Sequence, residues 1–251
     1  MVRRIHPGTD AAQLTDAALL RAYAPPAHGG PFVRFNFVST LDGAATHGGV
    51  SAELGTDADH RIFALLRRHA DVILVGAGTI RAEGYEGPLL DEAGLAWRRR
   101  HHLEPHPGVA VVSGSLDLDP DSAFFTEAPV RPVLLTSRAA PARRRAALEA
   151  VADVVDCGAA AVDPAEAVAV LAERGHRVVH SEGGPGVFAS FQAAGRVDSL
   201  CLSLSPLLAG GSARRIADGS DEQPLRRMDL VLALEEDGAL FLEYRREHRK
   251  A

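Results

Sequence analysis

The run His180-Ser181-Glu182-Gly183-Gly184-Pro185-Gly186-Val187 holds the residue types in this chain best suited to chemistry. Val178-Val179 precede it, and a helical pattern through Val187, Phe188 and Phe191 follows until Gly195 stops it. A strand that turns through glycines into a helix leaves unpaired backbone N–H groups and the positive end of a helix dipole facing one point. Such a point suits a phosphate or pyrophosphate. Glycine is needed there because a Cβ would hold the anion off the backbone and forbid a positive φ. The spacing is not the full dinucleotide fingerprint. On this segment alone an anion site and a plain strand-to-helix turn stand equal.

Three other apolar runs end in small or hydroxylic residues. Asp71-Val72-Ile73-Leu74-Val75 runs into Gly76-Ala77-Gly78-Thr79, Val109 to Val112 into Ser113-Gly114-Ser115, and Pro132 to Leu135 into Thr136-Ser137-Arg138. In an open parallel sheet these carboxyl ends share one edge, where ligands bind. Hydroxyls, backbone N–H groups and an arginine along one crevice suit a ligand with several phosphates, such as a dinucleotide.

The elements that must position these ends follow from periodicity. A helical pattern spans about 10–23 and closes at Ala24-Pro25-Pro26. Gly29-Gly30-Pro31 releases a strand over Phe32–Val38, and a polar, glycine-rich loop from Ser39 to Gly55 exceeds a simple turn. Thr56-Asp57-Ala58-Asp59 reads as a helix cap before Ile62, Phe63, Leu65 and Leu66. A loop rich in charge and histidine covers about 84–107. Further on come a helix at about 141–150, a strand at Asp153-Val154-Val155, a helix opened by Pro164 and an alternating strand over 197–204. Met228–Leu234 and Ala239–Tyr244 flank Glu235-Glu236-Asp237-Gly238, a strong hairpin signal. The expected class is α/β: a mostly parallel central sheet flanked by helices, with a C-terminal antiparallel hairpin. No linker divides it, so a helical extension over 1–30 and a single domain over 31–251 are expected.

The 251 residues are 46% hydrophobic, enough for an ample core, and carry a formal net charge of -6, which disfavours a nucleic-acid partner. The two cysteines, Cys157 and Cys201, stand far apart in apolar settings and read as buried thiols in a reducing compartment. The start of the chain lacks the apolar core of a leader and no run reaches membrane-spanning length, so a cytoplasmic protein without membrane partners is expected. His101-His102-Leu103-Glu104-Pro105-His106 has metal-ligand types but reads as a solvated loop, and no metal is expected. Asp42, before Gly43 in a turn, favours a bond to its own backbone over proton donation. His180, within a strand, is expected to pack or bond locally, and Arg143-Arg144-Arg145 to form a solvated face.

Taken in order, Val38-Ser39-Thr40-Leu41-Asp42-Gly43, Gly49-Val50-Ser51, Leu66 to Thr79, Glu182-Gly183-Gly184, Gly195-Arg196-Val197-Asp198 and Ser205 to Gly210 resemble the reductase domain of the bacterial riboflavin-biosynthesis deaminase/reductase. The resemblance implies a dihydrofolate reductase-like fold, NADPH as cofactor, 5-amino-6-(5-phosphoribosylamino)uracil or a related pyrimidine as small-molecule substrate, and a homodimer. It also implies roles. Ser39 would approach the nicotinamide with Glu53 nearby; Gly76, Gly78, Thr79 and Glu83 would line the cofactor, and Ser113 would sit near its adenosine and 2′-phosphate. Gly183, Gly184, Pro185, Gly186, Val187 and Phe188 would hold the pyrophosphate. Ser51, Arg67 and Glu182 would contact substrate. Thr136-Ser137-Arg138 stays a weaker candidate for the 2′-phosphate, and no residue is assigned as a catalytic acid or base.

The departures bear on substrate. Where the family usually reads Asp-Asp-Pro-x-Leu-Thr-x-Arg, this chain reads Glu83-Gly84-Tyr85-Glu86-Gly87-Pro88-Leu89-Leu90-Asp91, without the arginine that helps hold a substrate phosphate. Such an anchor is worth about 1–3 kcal/mol. Glu53 stands where the family often has tryptophan. No His-x-Glu with Pro-Cys-x-x-Cys occurs, so deamination is not expected of this chain. Reduction of another heterocycle such as dihydrofolate, and sensing of NADP(H) without turnover, are the alternatives.

Overall fold

A computed structural model of the chain describes residues 1–8, 13–27, 30–219 and 223–247. The strands are β1 (Arg3–His6), β2 (Phe32–Thr40), β3 (Val72–Gly76), β4 (Gly108–Val112), β5 (Val133–Thr136), β6 (Asp153–Asp156), β7 (Val178–Gly183), β8 (Ser199–Ser205), β9 (Met228–Glu236) and β10 (Ala239–Arg246). They form one sheet in the order β1-β9-β10-β8-β2-β7-β3-β4-β5-β6. From β8 to β6 every neighbouring pair is parallel, while β10, β9 and β1 join antiparallel at the other side. The expected class is the one observed.

The helices are α1 (Asp16–Ala22), α2 (Asp57–Arg67), α3 (Ala77–Glu83), α4 (Glu92–Arg100), α5 (Ala123–Thr126), α6 (Ala142–Leu148), α7 (Pro164–Glu173) and α8 (Pro185–Ala193). They cover both faces, because a parallel strand buried on both sides must be apolar throughout. In β3, Val72 and Leu74 pack with Leu171 of α7 and Phe191 of α8. Ile73 and Val75 face the opposite layer with Ile80 of α3 and Leu148 of α6.

The first thirty residues hold more than a helix. β1 pairs with β9 at the sheet edge, and Leu19 and Leu20 of α1 pack against Leu66 and Phe241. Arg34 fastens that helix from below, donating to the Tyr23 carbonyl at 2.7 Å and to Glu243 at 3.1 Å. The start of the expected helix at 10–12, and Gly29, lie outside the described residues. Within the expected loop over 84–107 the chain forms α4, capped where the Asp91 carboxylate accepts the Gly94 N–H at 2.7 Å. Arg98 of α4 is buried, donating to the carbonyls of Arg68, Ala70 and Glu104. It therefore anchors the helix without an apolar stripe. Cys157 and Cys201 are buried and free. Among the described residues no helix is long and apolar enough to cross a membrane.

Candidate active site

The carboxyl ends of β2, β7, β3 and β4 open onto one crevice with two connected parts. A cavity of about 290 Å³ lies beside α2, and a groove of about 750 Å³ runs past α3 and the end of β4; they share Thr46, Thr79, Glu83, Gly184 and Pro185. The strand ends predicted to converge do so, except that of β5. Thr136 and Ser137 are buried there, and Thr136-Ser137-Arg138 is absent from the groove lining.

The groove is built around the β7–α8 turn. Gly183 has φ +92°, and a Cβ there would stand 2.9 Å from the Phe37 ring, so both conformation and space require glycine. Gly184 donates its N–H to the Thr79 hydroxyl at 3.1 Å, which ties this turn to the start of α3. α8 then starts at Pro185, where proline costs no hydrogen bond. Gly186 and Val187 line the groove with Gly76, Gly78 and Ser113. Ser113 accepts the Leu116 N–H through its hydroxyl at 2.9 Å and so shapes the turn after β4. Phe188 instead points into the core, its ring 5.0 Å from Phe35 and 5.1 Å from Phe37.

The cavity is dominated by an ion pair. β7 slips by one residue against β3, with Leu74 opposite Ser181 and Val75 opposite Gly183. Glu182 is the extra residue of this bulge, a device that re-aims side chains beside sites. Arg67, in the last turn of α2, grips it with a two-point fork, Nε to Oε1 at 2.6 Å and Nη2 to Oε2 at 2.8 Å. Tyr85 donates its hydroxyl to Oε2 at 2.8 Å. The third guanidinium nitrogen, Nη1, donates to the Leu89 carbonyl at 3.2 Å, and the guanidinium lies over the Phe63 ring at 4.4 Å. Burial alone would raise the Glu182 carboxyl; the Arg67 charge and hydrogen bonds, with His180 and Tyr85, outweigh it and hold the group below its ordinary range. Arg67 and Glu182, expected as separate substrate contacts, thus reach the cavity as one unit.

His180 lies behind this pair, its Nε2 3.7 Å from Glu182 and its ring edge-on to Phe63. Among the described residues neither ring nitrogen has a hydrogen-bond partner, and burial, aided by the charges of Arg34, Arg67 and His69 and only partly opposed by Glu182, pushes the imidazole down to about 4. Between the ordinary 6.5 and about 4 the unfolded chain therefore binds a proton that the folded chain refuses. Stability should fall as pH drops through that window. His180→Phe should flatten the fall, measured as denaturant unfolding free energy against pH, with His69 accounting for part of the remaining slope. An unchanged slope would show that His180 is protonated in the folded protein.

The loop after β2 sorts the remaining expectations. Ser51 donates both its N–H and its hydroxyl to Glu83 Oε1 at 3.0 Å, and both residues line the cavity. Ser39 is buried and donates to the Thr40 carbonyl at 3.0 Å, and Glu53 is exposed in a 2.7 Å pair with His47. Neither belongs to the crevice lining, and Phe188 does not either. Asp42, expected to bond its own backbone, instead ties two loops together, accepting the Thr40 hydroxyl and the N–H groups of Ala209 and Gly210. Asn36, Thr46, Asp59, Phe63 and Tyr85 line the cavity without having been singled out. The spacing of Asp59, Phe63 and Arg67 by four residues on a capped helix was the one available signal for this face.

Residues 31–238 match the family described as the RibD C-terminal domain. The 2,5-diamino-6-ribosylamino-4(3H)-pyrimidinone 5′-phosphate reductase of Methanothermobacter thermautotrophicus is 32% identical over 75% of this chain and 84% of that one. Among solved structures, a pyrimidine reductase-like protein from Corynebacterium diphtheriae superposes with a TM-score of 0.79 at 26% identity, over 87% of this chain and 92% of that one. Dihydrofolate reductase from Enterococcus faecalis shares the fold, with a TM-score of 0.50 at 13% identity over 86% of this chain and 97% of that one.

Proposed function

The chain belongs to the RibD C-terminal domain family, and from that membership we propose that it is an NADPH-dependent reductase of a phosphorylated ribosylaminopyrimidine in riboflavin biosynthesis. The observation that carries this reading is the continuity of the crevice. A groove lined by glycines and hydroxyls opens directly into a cavity lined by Ser51, Arg67 and Glu182. The groove fits a dinucleotide: Gly183 is compelled by its φ and by Phe37, and α8 presents its N-terminus there.

In this reading Gly184 to Val187 hold the pyrophosphate, Thr79 and Glu83 stand where groove and cavity meet, and Ser113 faces the adenosine end. When bound, the cofactor supplies a hydride to the ribosyl C1′ of the substrate. The protein's own contribution is placement. Ser51, fixed twice by Glu83, and the Arg67–Glu182–Tyr85 assembly form cavity walls whose donors and acceptors are already oriented. No residue is required as an acid or base. The same reading has a cytoplasmic homodimer, for which the exposed and adjoining Leu41 and Leu207 offer apolar surface.

The test is loss of NADPH absorbance with the ribosylaminopyrimidine phosphates and, separately, with dihydrofolate. Turnover of a ribosylaminopyrimidine is expected. Turnover of dihydrofolate alone, or NADPH binding with no turnover, overturns the reading in favour of another heterocycle or of a sensor.

A further inference from the structure

Between β8 and β9 the chain runs beside the groove as a strap. It is tied at its start, where Leu41 donates its N–H to the Leu207 carbonyl at 2.9 Å and Asp42 takes the N–H groups of Ala209 and Gly210. Further along, Ala45 donates its N–H to the Arg214 carbonyl at 2.8 Å, and Asp218 donates its own to the Pro185 carbonyl at 3.2 Å. Ile216 and Ala217 pack against the core that holds Phe188 and Phe191. So fastened, Ser212, Ala213 and Arg214 form part of the groove lining. The Arg214 side chain is 72% exposed, and among the described residues its one ionic partner is Asp218, Nε to Oδ2 at 3.5 Å. That partner rests on the first turn of α8, bonded to Pro185 and with its carbonyl 3.9 Å from where a Cβ on Gly186 would stand. The guanidinium is thereby kept beside the helix N-terminus.

We propose that Arg214 is a cofactor-binding residue, an arm on the strap that closes on the dinucleotide's pyrophosphate while the N–H groups of the β7–α8 turn hold it from the sheet. That turn offers only backbone donors and a helix dipole, and Glu83 puts a carboxylate on the same groove lining. A doubly charged pyrophosphate there needs a cation. Among the described residues the cationic side chains of the lining are Arg81 and Arg214. Arg81 donates Nη1 to the Asp117 carbonyl at 2.8 Å, which draws it toward the turn after β4 and the adenosine end. Arg214 is the cation left for the α8 end. Its planar fork matches two phosphate oxygens, and an exposed pair with Asp218 at 3.5 Å restrains it only loosely. Asp218 itself lines the neighbouring depression and not the groove, so its carboxylate does not face the anion. The inference rests on the NADPH reading above and adds to it the side chain that grips the cofactor's phosphates.

The experiment titrates the native chain, Arg214→Gln and Arg214→Lys with NADPH and with NADH, followed by nicotinamide fluorescence without substrate, at low and at high salt. Arg214→Gln should weaken NADPH at least about 10-fold, the effect of losing one charge-assisted contact. NADH should weaken by the same factor, because both cofactors carry the pyrophosphate and only NADPH carries the 2′-phosphate. Arg214→Lys should recover part of the loss, since it keeps the charge but not the two-point fork. Raising the salt should weaken binding to the native chain more steeply than binding to Arg214→Gln. The cofactor-free melting temperature should stay native, because the side chain is exposed and its pair with Asp218 supports little. Unchanged NADPH affinity in Arg214→Gln overturns the assignment. A loss confined to NADPH also overturns it, by moving the arm to the 2′-phosphate. Failure of the native chain to bind NADPH overturns instead the reading on which the inference rests.

Discussion

Gly184→Asp should weaken NADPH binding at least about 100-fold, which is about 2.7 kcal/mol, while leaving a folded protein. Three effects act together. The new carboxylate would sit at the first turn of α8, where the helix dipole and free N–H groups otherwise favour a phosphate. It would repel a pyrophosphate already carrying negative charge. It would also crowd Thr79, because a Cβ at this position lies 3.0 Å from the Thr79 hydroxyl that receives the Gly184 N–H. The fold should survive because a single hydroxyl rotor can yield. Gly183→Asp is different: its φ of +92° and the Phe37 ring at 2.9 Å make that turn itself fail. The measurement is NADPH titration by fluorescence, with a thermal melt as control and Gly184→Ala as the uncharged comparison. Native-like affinity in a folded Gly184→Asp protein would move the pyrophosphate elsewhere in the groove.

The parts of the molecule that read directly from sequence are those where one local requirement dominates. β3 is buried on both faces, so Val72 to Val75 had to be a continuous apolar run. The β9–β10 hairpin needs positive φ at its turn, and Asp237-Gly238 supply it at +50° and +82°. The Gly183-Gly184 turn was legible for the same reason. α4 was not, because its burial rests on Arg98 reaching backbone carbonyls rather than on an apolar stripe. β1 was hidden because four alternately exposed residues are enough for an edge strand once β9 is beside it. The site shows the same division. Family resemblance named Arg67 and Glu182, but not that they form one ion pair, since 115 residues separate them and only the β7 bulge turns Glu182 toward α2. Asp59 read as part of a helix cap. Its burial depends on Ser203, 144 residues away, which no local pattern encodes.

That ion pair carries the second large prediction. Glu182→Gln keeps the shape and the Tyr85 contact but leaves the Arg67 charge without its counterion in a site where the carboxylate side chain is 1% exposed. Removing one partner of a buried pair typically costs about 3–5 kcal/mol. Here the lower end applies, because 17% of the Arg67 side chain remains exposed to solvent. For a chain of this size about 3 kcal/mol lowers Tm by roughly 6–12 °C. The native contribution of the pair is itself pH-dependent: with the Glu182 carboxyl held below its ordinary 4.5, it is fully present above that pH and is lost as pH falls beneath it. Turnover should fall at least about 100-fold, since the cavity wall loses both a charge and its fixed geometry. Adding Arg67→Met separates the two consequences. The double variant removes the orphaned charge and should regain much of the lost stability, a coupling that a double-mutant cycle reads directly. It should not regain turnover. Recovery of both together would mean that the pair only supports the fold, and that substrate is held by other walls of the cavity.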